Sequence, residues 1–421
     1  MQEPLFFFFG ILALYLLSKT RSNKDLILVG FLLFFSLLSK ETGALFFIVS
    51  IMFAFFSNKK YFLPLLGIEV LLLFLYFLLR INAVGIYANP FNAPIAKIDL
   101  PNRLLNIPAM IFFYLKTFVF PLKLSASYHW IVKQANFDLF FLPLTAILLF
   151  TALFVYFAYI IFKKHKESYF VPYLFFGTWF ILGLFFHLQI IPLDATVAER
   201  WFYFPLVGLL GMAGLFSEIF LSRTKGEWVL MVSLFLIFLL SIRTFIRSFD
   251  WRDNLRLATQ DIKVSPESYA LENLMAQGLI VQNRLEEAKV HVERSVKFYP
   301  YSTNYINLGY IYFSMGDYPK AKEAYLKALE FGDYYLTYEG LAAVSVLYGD
   351  PRESIEFVKS ALKKFPQSAR LWLDLALLNY KVGNISEAKI LARKAYSLSQ
   401  DAATVSFYRE IVNETLDFNS K

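Results

Sequence analysis

Nine apolar runs occupy most of the first 253 residues of this 421-residue chain, at residues 5–17, 26–38, 44–56, 62–79, 104–122, 139–162, 169–193, 201–221 and 228–242. Apolar runs this frequent place the segment in lipid, where roughly 17–25 apolar residues form a spanning helix. The first three runs hold only 13 residues each. Flanking Ser, Thr and snorkelling Lys extend them, so they read as short or irregular spans. Composition agrees. Residues are 57% hydrophobic and 18% charged, with 48 Phe, whereas an ordinary soluble chain is about one quarter charged.

Charge separates the chain into two parts. Residues 1–253 carry 21 Lys and Arg against 13 Asp and Glu, and residues 254–421 carry 20 against 20. The whole net charge of +8 therefore belongs to the apolar part. It reads as loop charge at a membrane surface, and no nucleic-acid partner is expected. Lys19, Arg21 and Lys24 follow the first run, Lys59 and Lys60 the third, Lys163, Lys164 and Lys166 the sixth, Arg223 and Lys225 the eighth. The positive-inside rule assigns these loops to the cytoplasm. The assignment requires an even number of crossings between residues 80 and 138. Residues 104–122, interrupted by Pro108, Lys116 and Pro121, are accordingly expected to be interfacial or re-entrant, or one of two crossings. The count is about eight spans plus that segment, with residues 39–43, 194–200 and the C-terminal part outside. Met1-Gln2-Glu3-Pro4 leads straight into the first run, without the basic leader and cleavage site of a signal peptide. The chain has no cysteine, which removes disulfides and thiolate chemistry.

The C-terminal part repeats itself. Ala288, Ala321, Ser354 and Ala388 stand 33, 33 and 34 residues apart, each after a turn such as Met315-Gly316-Asp317 or Val382-Gly383-Asn384. Pro300 and Pro366 end the first and third units, and the second reads Leu308-Gly309-x-x-Tyr312 … Ala321-x-x-x-Tyr325-x-x-Ala328. This pattern resembles the tetratricopeptide repeat, a 34-residue helix–turn–helix, over residues 266–400. Small residues let the two helices of a unit touch, and at least three units must stack to bury a core. Such repeats bind a peptide or partner protein, or serve only to shape and rigidify a domain. The predicted fold is all-α, with a polytopic helical membrane domain (residues 1–245), a linker (246–265), about four repeats (266–400) and a capping helix and tail (401–421).

Polar residues at the edges of lipid are candidates for function. Lys40 and Glu41 sit together in Ser39-Lys40-Glu41-Thr42-Gly43. Asp194, Glu199 and Arg200 meet an aromatic belt of Trp201, Phe202 and Tyr203, where an Arg fork would match phosphate oxygens. A turn that only stops two helices, and a structural Glu199–Arg200 pair, are the plainer readings of these two stretches. Tyr128 and His129 are expected outside as an interfacial anchor, with His129 a further acid–base candidate. His187 reads as packed, Glu218 as snorkelling, and Glu69 as a neutral acid or helix–helix hydrogen bond. The sequence holds no phosphate-binding glycine loop, HExxH or nucleophile elbow.

Taken in order, Ser39–Gly43, Asn102-Arg103 … Phe120-Pro121-Leu122 … Leu124-Ser125-x-x-Tyr128, Ala198-Glu199-Arg200-Trp201-x-Tyr203-x-Pro205 and the repeats resemble the transmembrane and tetratricopeptide-repeat (TMTC-like) proteins. Those are protein O-mannosyltransferases of the GT-C class of membrane glycosyltransferases. The resemblance implies transfer of a mannose-type sugar from a polyprenyl phosphate carrier to Ser or Thr hydroxyls outside the cytoplasm. The repeats would hold the acceptor or a partner. It makes Lys40, Glu41, Arg103, Glu199 and Arg200 candidates for the donor phosphate, and Tyr128, His129, Asp194 and Tyr203 candidates for the outer surface. A divalent metal assists some such enzymes, but no metal ligand is assigned here. In that class the catalytic acid lies in the first outer loop after a first span. Met1 is read as starting beyond that loop, Glu3 is not taken as that acid, and no catalytic residue is assigned. A non-catalytic membrane-anchored repeat scaffold is the alternative. A bacterial inner membrane with periplasmic repeats is the expected location, with an endoplasmic reticulum membrane and lumenal repeats as the other possibility.

Overall fold

The computed structural model describes residues 2–85, 93–220 and 223–418, apart from the side chains of residues 84, 165–167 and 223–226. The side chains of Lys166, Arg223 and Lys225, counted among the loop cations above, lie outside the described ones. Every regular element among the described residues is helical; the β-type pairing is a single bridge between Tyr128 and Val197. The chain forms two compact units, residues 1–247 and 248–421.

The first unit contains α1 (Gln2–Lys19), α2 (Asn23–Ser39), α3 (Ala44–Ser57), α4 (Phe62–Val84), α5 (Leu100–Val119), α6 (Leu142–Phe185), α7 (Tyr203–Phe220) and α8 (Arg223–Ser248). Among the described residues, five helical stretches are long and apolar enough to cross a membrane: Lys59–Ala83, Phe137–Lys164, Ser168–Phe185, Glu199–Phe220 and Glu227–Arg252. Helix α3 belongs to a shorter apolar helix, Glu41–Ser57.

Helix α6 has helical backbone for 44 residues and yet doubles back. The rings of Phe150 and Phe180 are 5.7 Å apart, and Phe154 stacks on Tyr173 at 5.2 Å. A straight helix would separate residues 30 apart by about 45 Å. The reversal falls between Phe162 and Phe170, whose rings lie at 5.0 Å. Two of the cations that follow the sixth apolar run, Lys163 and Lys164, stand at this bend.

The core of this unit gathers α1, α2 and α3 around Phe46, whose ring meets those of Phe6 at 6.1 Å, Trp179 at 5.9 Å and Phe204 at 5.0 Å. Small residues allow the close approaches. A Cβ on Gly208 of α7 would fall 2.5 Å from the Phe176 carbonyl oxygen of α6. Buried polar groups find partners: Ser36 Oγ donates to the Phe6 carbonyl at 2.7 Å, and Ser50 and Glu69 share a 2.6 Å hydrogen bond between α3 and α4. In helix α5, which contains Pro108, the buried Asn106 docks the loop beyond it. Its side chain accepts from Val132 N–H at 2.6 Å and donates to the Val132 carbonyl at 3.3 Å.

The second unit begins with α9 (Asn254–Asp261) and continues with α10 (Tyr269–Val281), α11 (Leu285–Phe298), α12 (Ser302–Ser314), α13 (Tyr318–Leu329), α14 (Tyr335–Leu347), α15 (Pro351–Lys364), α16 (Ala369–Lys381), α17 (Ile385–Leu398) and α18 (Ala402–Val412). Helices pair as α10/α11, α12/α13, α14/α15 and α16/α17. Ala288, Ala321 and Ala388 are fully buried at the contacts, and Ser354 is 6% exposed. The large residue between units is Tyr325, packed against Gly309 and Gly340, where no side chain would fit. Three turns reverse through a left-handed residue, Asn283 (φ 57°), Gly316 (φ 81°) and Gly383 (φ 86°), a conformation that favours Gly and Asn. Residues 246–265, read from the sequence as connecting chain, include α9, whose Leu255 fills the space beside Gly278 of α10. Helix α18 adds Ile411 to the core of the fourth pair.

Candidate functional site

Two of the sequence motifs, Ser39–Gly43 and the stretch from Asp194 to Trp201, converge on one cavity in the first unit. Its volume is about 1120 Å³, and its walls include Glu3, Lys40, Glu41, Arg80, His187, Asp194, Arg200 and Trp201. Lys40 caps the C-terminus of α2 in an extended conformation (φ −163°, ψ 143°), which turns its side chain out of the helix line. The 3-10 turn Glu41–Gly43 follows, and Gly43 is required there, because a Cβ would lie 2.5 Å from the Ser36 carbonyl. Arg200 lies on a second 3-10 turn, Glu199–Phe202, at the entrance to α7.

The charges in this cavity are paired across long stretches of sequence. Lys40 Nζ is 2.7 Å from Glu3 Oε1, and Arg200 Nε is 3.7 Å from the same oxygen. Arg200 Nη2 also faces Asp194 Oδ2 at 3.6 Å, and Arg80 pairs with Glu41. Lys40 Nζ lies 5.7 Å from the centroid of the Phe6 ring. His187 stacks on Trp201 at 5.3 Å and directs Nδ1 at the Gly183 carbonyl, 2.8 Å away. Nδ1 therefore carries the proton. Burial pushes the His187 ring down to about 4, because a low-dielectric site disfavours the charged form, so it is neutral at pH 7.

Of the residues singled out from sequence, Lys40, Glu41, Asp194 and Arg200 line the cavity, whereas Arg103, Tyr128, His129, Glu199 and Tyr203 do not. Glu199 Oε1 accepts hydrogen bonds from Tyr128 Oη at 2.7 Å and from Ser125 N–H at 2.9 Å. Thr196 N–H donates to the Tyr128 carbonyl at 2.9 Å, and Thr196 Oγ1 to the Trp130 carbonyl at 2.7 Å. Glu199 and Tyr128 thus pin two loops together directly behind Arg200. His129 Nε2 meets Ser127 Oγ at 2.8 Å, and burial lowers its ring to about 4. Tyr203 packs on Phe7 with ring centroids 4.6 Å apart. Arg103 is in the first turn of α5.

Glu3 and Arg80 were not among the sequence candidates. A lone acid ahead of an apolar run looks like a helix start. Its partner is 37 residues away, which no local spacing reveals. Among the described residues, no group of three His, Asp or Glu side chains gathers to hold a metal ion.

Comparison with known proteins first defines the second unit. Residues 305–331 match the tetratricopeptide repeat family. The chain is also 37% identical over 108 residues to the Protein O-mannosyl-transferase Tmtc2 of Drosophila melanogaster, a match covering 25% of this chain and 11% of that protein. The chain thus spans only a small part of the length of that relative. Solved structures with related folds include YrrB, a TPR protein with an unusual peptide-binding site (13% identity, 41% of this chain and 87% of that chain, TM-score 0.32). Another is a thermophilic TPR protein of Thermus thermophilus (18% identity, 38% and 89%, TM-score 0.34).

Proposed function

We propose that this protein is a multi-pass membrane glycosyltransferase of the GT-C type, transferring a mannose-type sugar from a polyprenyl phosphate carrier to Ser or Thr hydroxyls of a protein. The observation that carries this reading is the convergence of Lys40 and Arg200, from opposite ends of the first unit's sequence, on one carboxylate oxygen in a large cavity. Two cations gathered in this way suit the phosphate of a lipid carrier, and Arg supplies a fork for two of its oxygens. The similarity to Tmtc2 and the repeats support the same class of reaction.

In the proposed reaction the acceptor hydroxyl oxygen bonds to the sugar's anomeric carbon while the bond from that carbon to the carrier phosphate breaks. The negative charge left on the phosphate is stabilised by Lys40 and Arg200, whose charges are already in place. The hydroxyl proton passes to a carboxylate. Of the three carboxylates on the wall, Glu3 and Glu41 each have a close ion-pair partner in Lys40 and Arg80, whereas the nearest cation to Asp194 is Arg200 at 3.6 Å; Asp194 is assigned this proton. His187, neutral and stacked on Trp201, fixes the wall beside Arg200. No step is derived through a metal. The first unit is proposed to lie in a bacterial inner membrane with its cavity and the repeats on the periplasmic side, the repeats holding the acceptor or a partner protein.

The test is sugar transfer to a Ser/Thr peptide by the full chain in lipid nanodiscs. Arg200→Ala should lower transfer by about 10²-fold or more, the scale for losing one stabiliser of developing charge, at an unchanged unfolding midpoint. Transfer at the wild-type rate by that variant would refute the site.

A further inference from the structure

Glu3 is the most telling group in the cavity that the proposed reaction leaves without a role. Its single oxygen Oε1 is shared by Lys40 Nζ at 2.7 Å and Arg200 Nε at 3.7 Å. These cations come from the end of α2 and the entrance to α7, and the carboxylate comes from the first turn of α1. An anionic oxygen between two cations at such distances occupies the place that a phosphate oxygen would take. The remaining cation of the wall, Arg80, has its own partner in Glu41, and Arg200 has a second in Asp194. Among the described residues, every cation lining the cavity is therefore already neutralised, and a phosphate can reach Lys40 only in competition with Glu3. The side chain of Glu3 is 21% exposed, so a neighbouring rotamer can carry its carboxylate into the cavity without unpacking α1.

We infer that Glu3 is the exchangeable counter-ion of this site: it holds the phosphate position between Lys40 and Arg200 and gives it up when a lipid phosphate arrives. The inference rests on the reading of the cavity as a phosphate site. It adds that anion exchange at Glu3, rather than filling of an open cationic site, sets the affinity. The benefit to the protein follows from electrostatics. Two unpaired cations facing one cavity would repel each other and would attract any passing anion, and the built-in carboxylate suppresses both.

The experiment measures binding of a ten-carbon isoprenyl monophosphate to the full chain in nanodiscs by tryptophan fluorescence, with Trp201 on the wall as reporter. The matching isoprenyl alcohol serves as the uncharged control. Wild type should bind the phosphate and not the alcohol. Glu3→Gln, which keeps the size and removes the charge, should bind the phosphate about three- to tenfold more tightly, the range for releasing one partly exposed ion pair. Glu3→Asp should stay near wild type, because the anion is retained. Unchanged or weaker binding by Glu3→Gln, with Arg200→Ala losing binding, would overturn the counter-ion role and leave the phosphate site standing. Equal binding by wild type, Glu3→Gln and Arg200→Ala, or equal binding of alcohol and phosphate, would overturn the phosphate site itself, and the inference with it. Unfolding midpoints of the variants check that the cavity remains folded, and Lys40→Gln, which removes the other cation of the pair, gives the same decision should Arg200→Ala fail to fold.

Discussion

The two units bury small residues in the same way and present opposite surfaces. In the first unit α8 shows Trp228, Leu236 and Phe238 at 67%, 52% and 60% exposure, while Glu69, Ser36 and Ser50 are hidden. In the repeats the apolar side chains turn inward around Ala321, Ala388 and Tyr325, and Lys–Glu and Arg–Glu pairs such as Lys289–Glu286 and Arg284–Glu287 stand on the surface. The difference teaches that each unit is built for a different solvent. In lipid an exposed leucine costs nothing and a polar group must find an internal partner. In water the preference is reversed.

The comparison can be broken most forcefully in the repeats. Ala388→Glu places an unpaired carboxylate where no exposure remains, and should cost about 3–5 kcal/mol, read as loss or a large downward shift of the repeat unit's unfolding transition in the full chain. A matched pair of leucines sharpens the contrast. Leu236→Arg at the middle of α8 should oppose membrane insertion by about 3 kcal/mol, measured by glycosylation-reporter insertion. Leu326→Arg on α13, at a similar 48% exposure, should change stability immeasurably. Equal effects at the two positions would mean that the two units do not face different solvents.

A pH experiment probes the repeat core. Asp374 of α16 is 1% exposed, with Arg370 Nε 3.4 Å away. Burial pushes its carboxyl up to about 7, against the pull of Arg370 and with a smaller push from Glu339. The native state therefore holds this proton where the unfolded chain has released it. The associated stability is fully present below about pH 4 and is lost as pH rises to about 7, an effect on the order of 4 kcal/mol. Urea midpoints of wild type between pH 5 and 8 should fall with pH, and Asp374→Asn should flatten that slope. The smallest effect is expected at the cap of α18. Asp401 accepts from Thr404 N–H at 2.9 Å, and backbone hydrogen bonding with that amide, joined by Ser399, lowers its carboxyl to about 2. Asp401→Ala should cost about 1 kcal/mol at pH 7. The wild-type advantage should disappear as acid protonates the carboxylate from about pH 4 down to 2.

Much of this was legible in the chain itself. Helical repeats follow from Ala288, Ala321, Ser354 and Ala388 recurring at one period, because a small residue is demanded wherever two helices touch. Lys40 and Arg200 stood out because charge beside long apolar runs is expensive, and both line the cavity. Glu199 stood out for the same reason, but a charged residue in a loop can serve the backbone as well as a ligand. Only the fold shows its oxygen tied to Tyr128 and Ser125.

By itself, then, the sequence determined the all-helical class, which segments are apolar enough for lipid and where small residues recur in the repeats, since each is set by hydropathy and spacing over a few turns. The tertiary structure decided the reversal of α6, the retreat of Glu199 and Tyr128 behind the wall, and the meeting of Glu3 with Lys40 and Arg200. Those outcomes depend on how helices far apart in the chain pack around Phe46. An ion pair between residues 37 positions apart leaves no mark on local periodicity, because packing, not spacing, brings its two ends together.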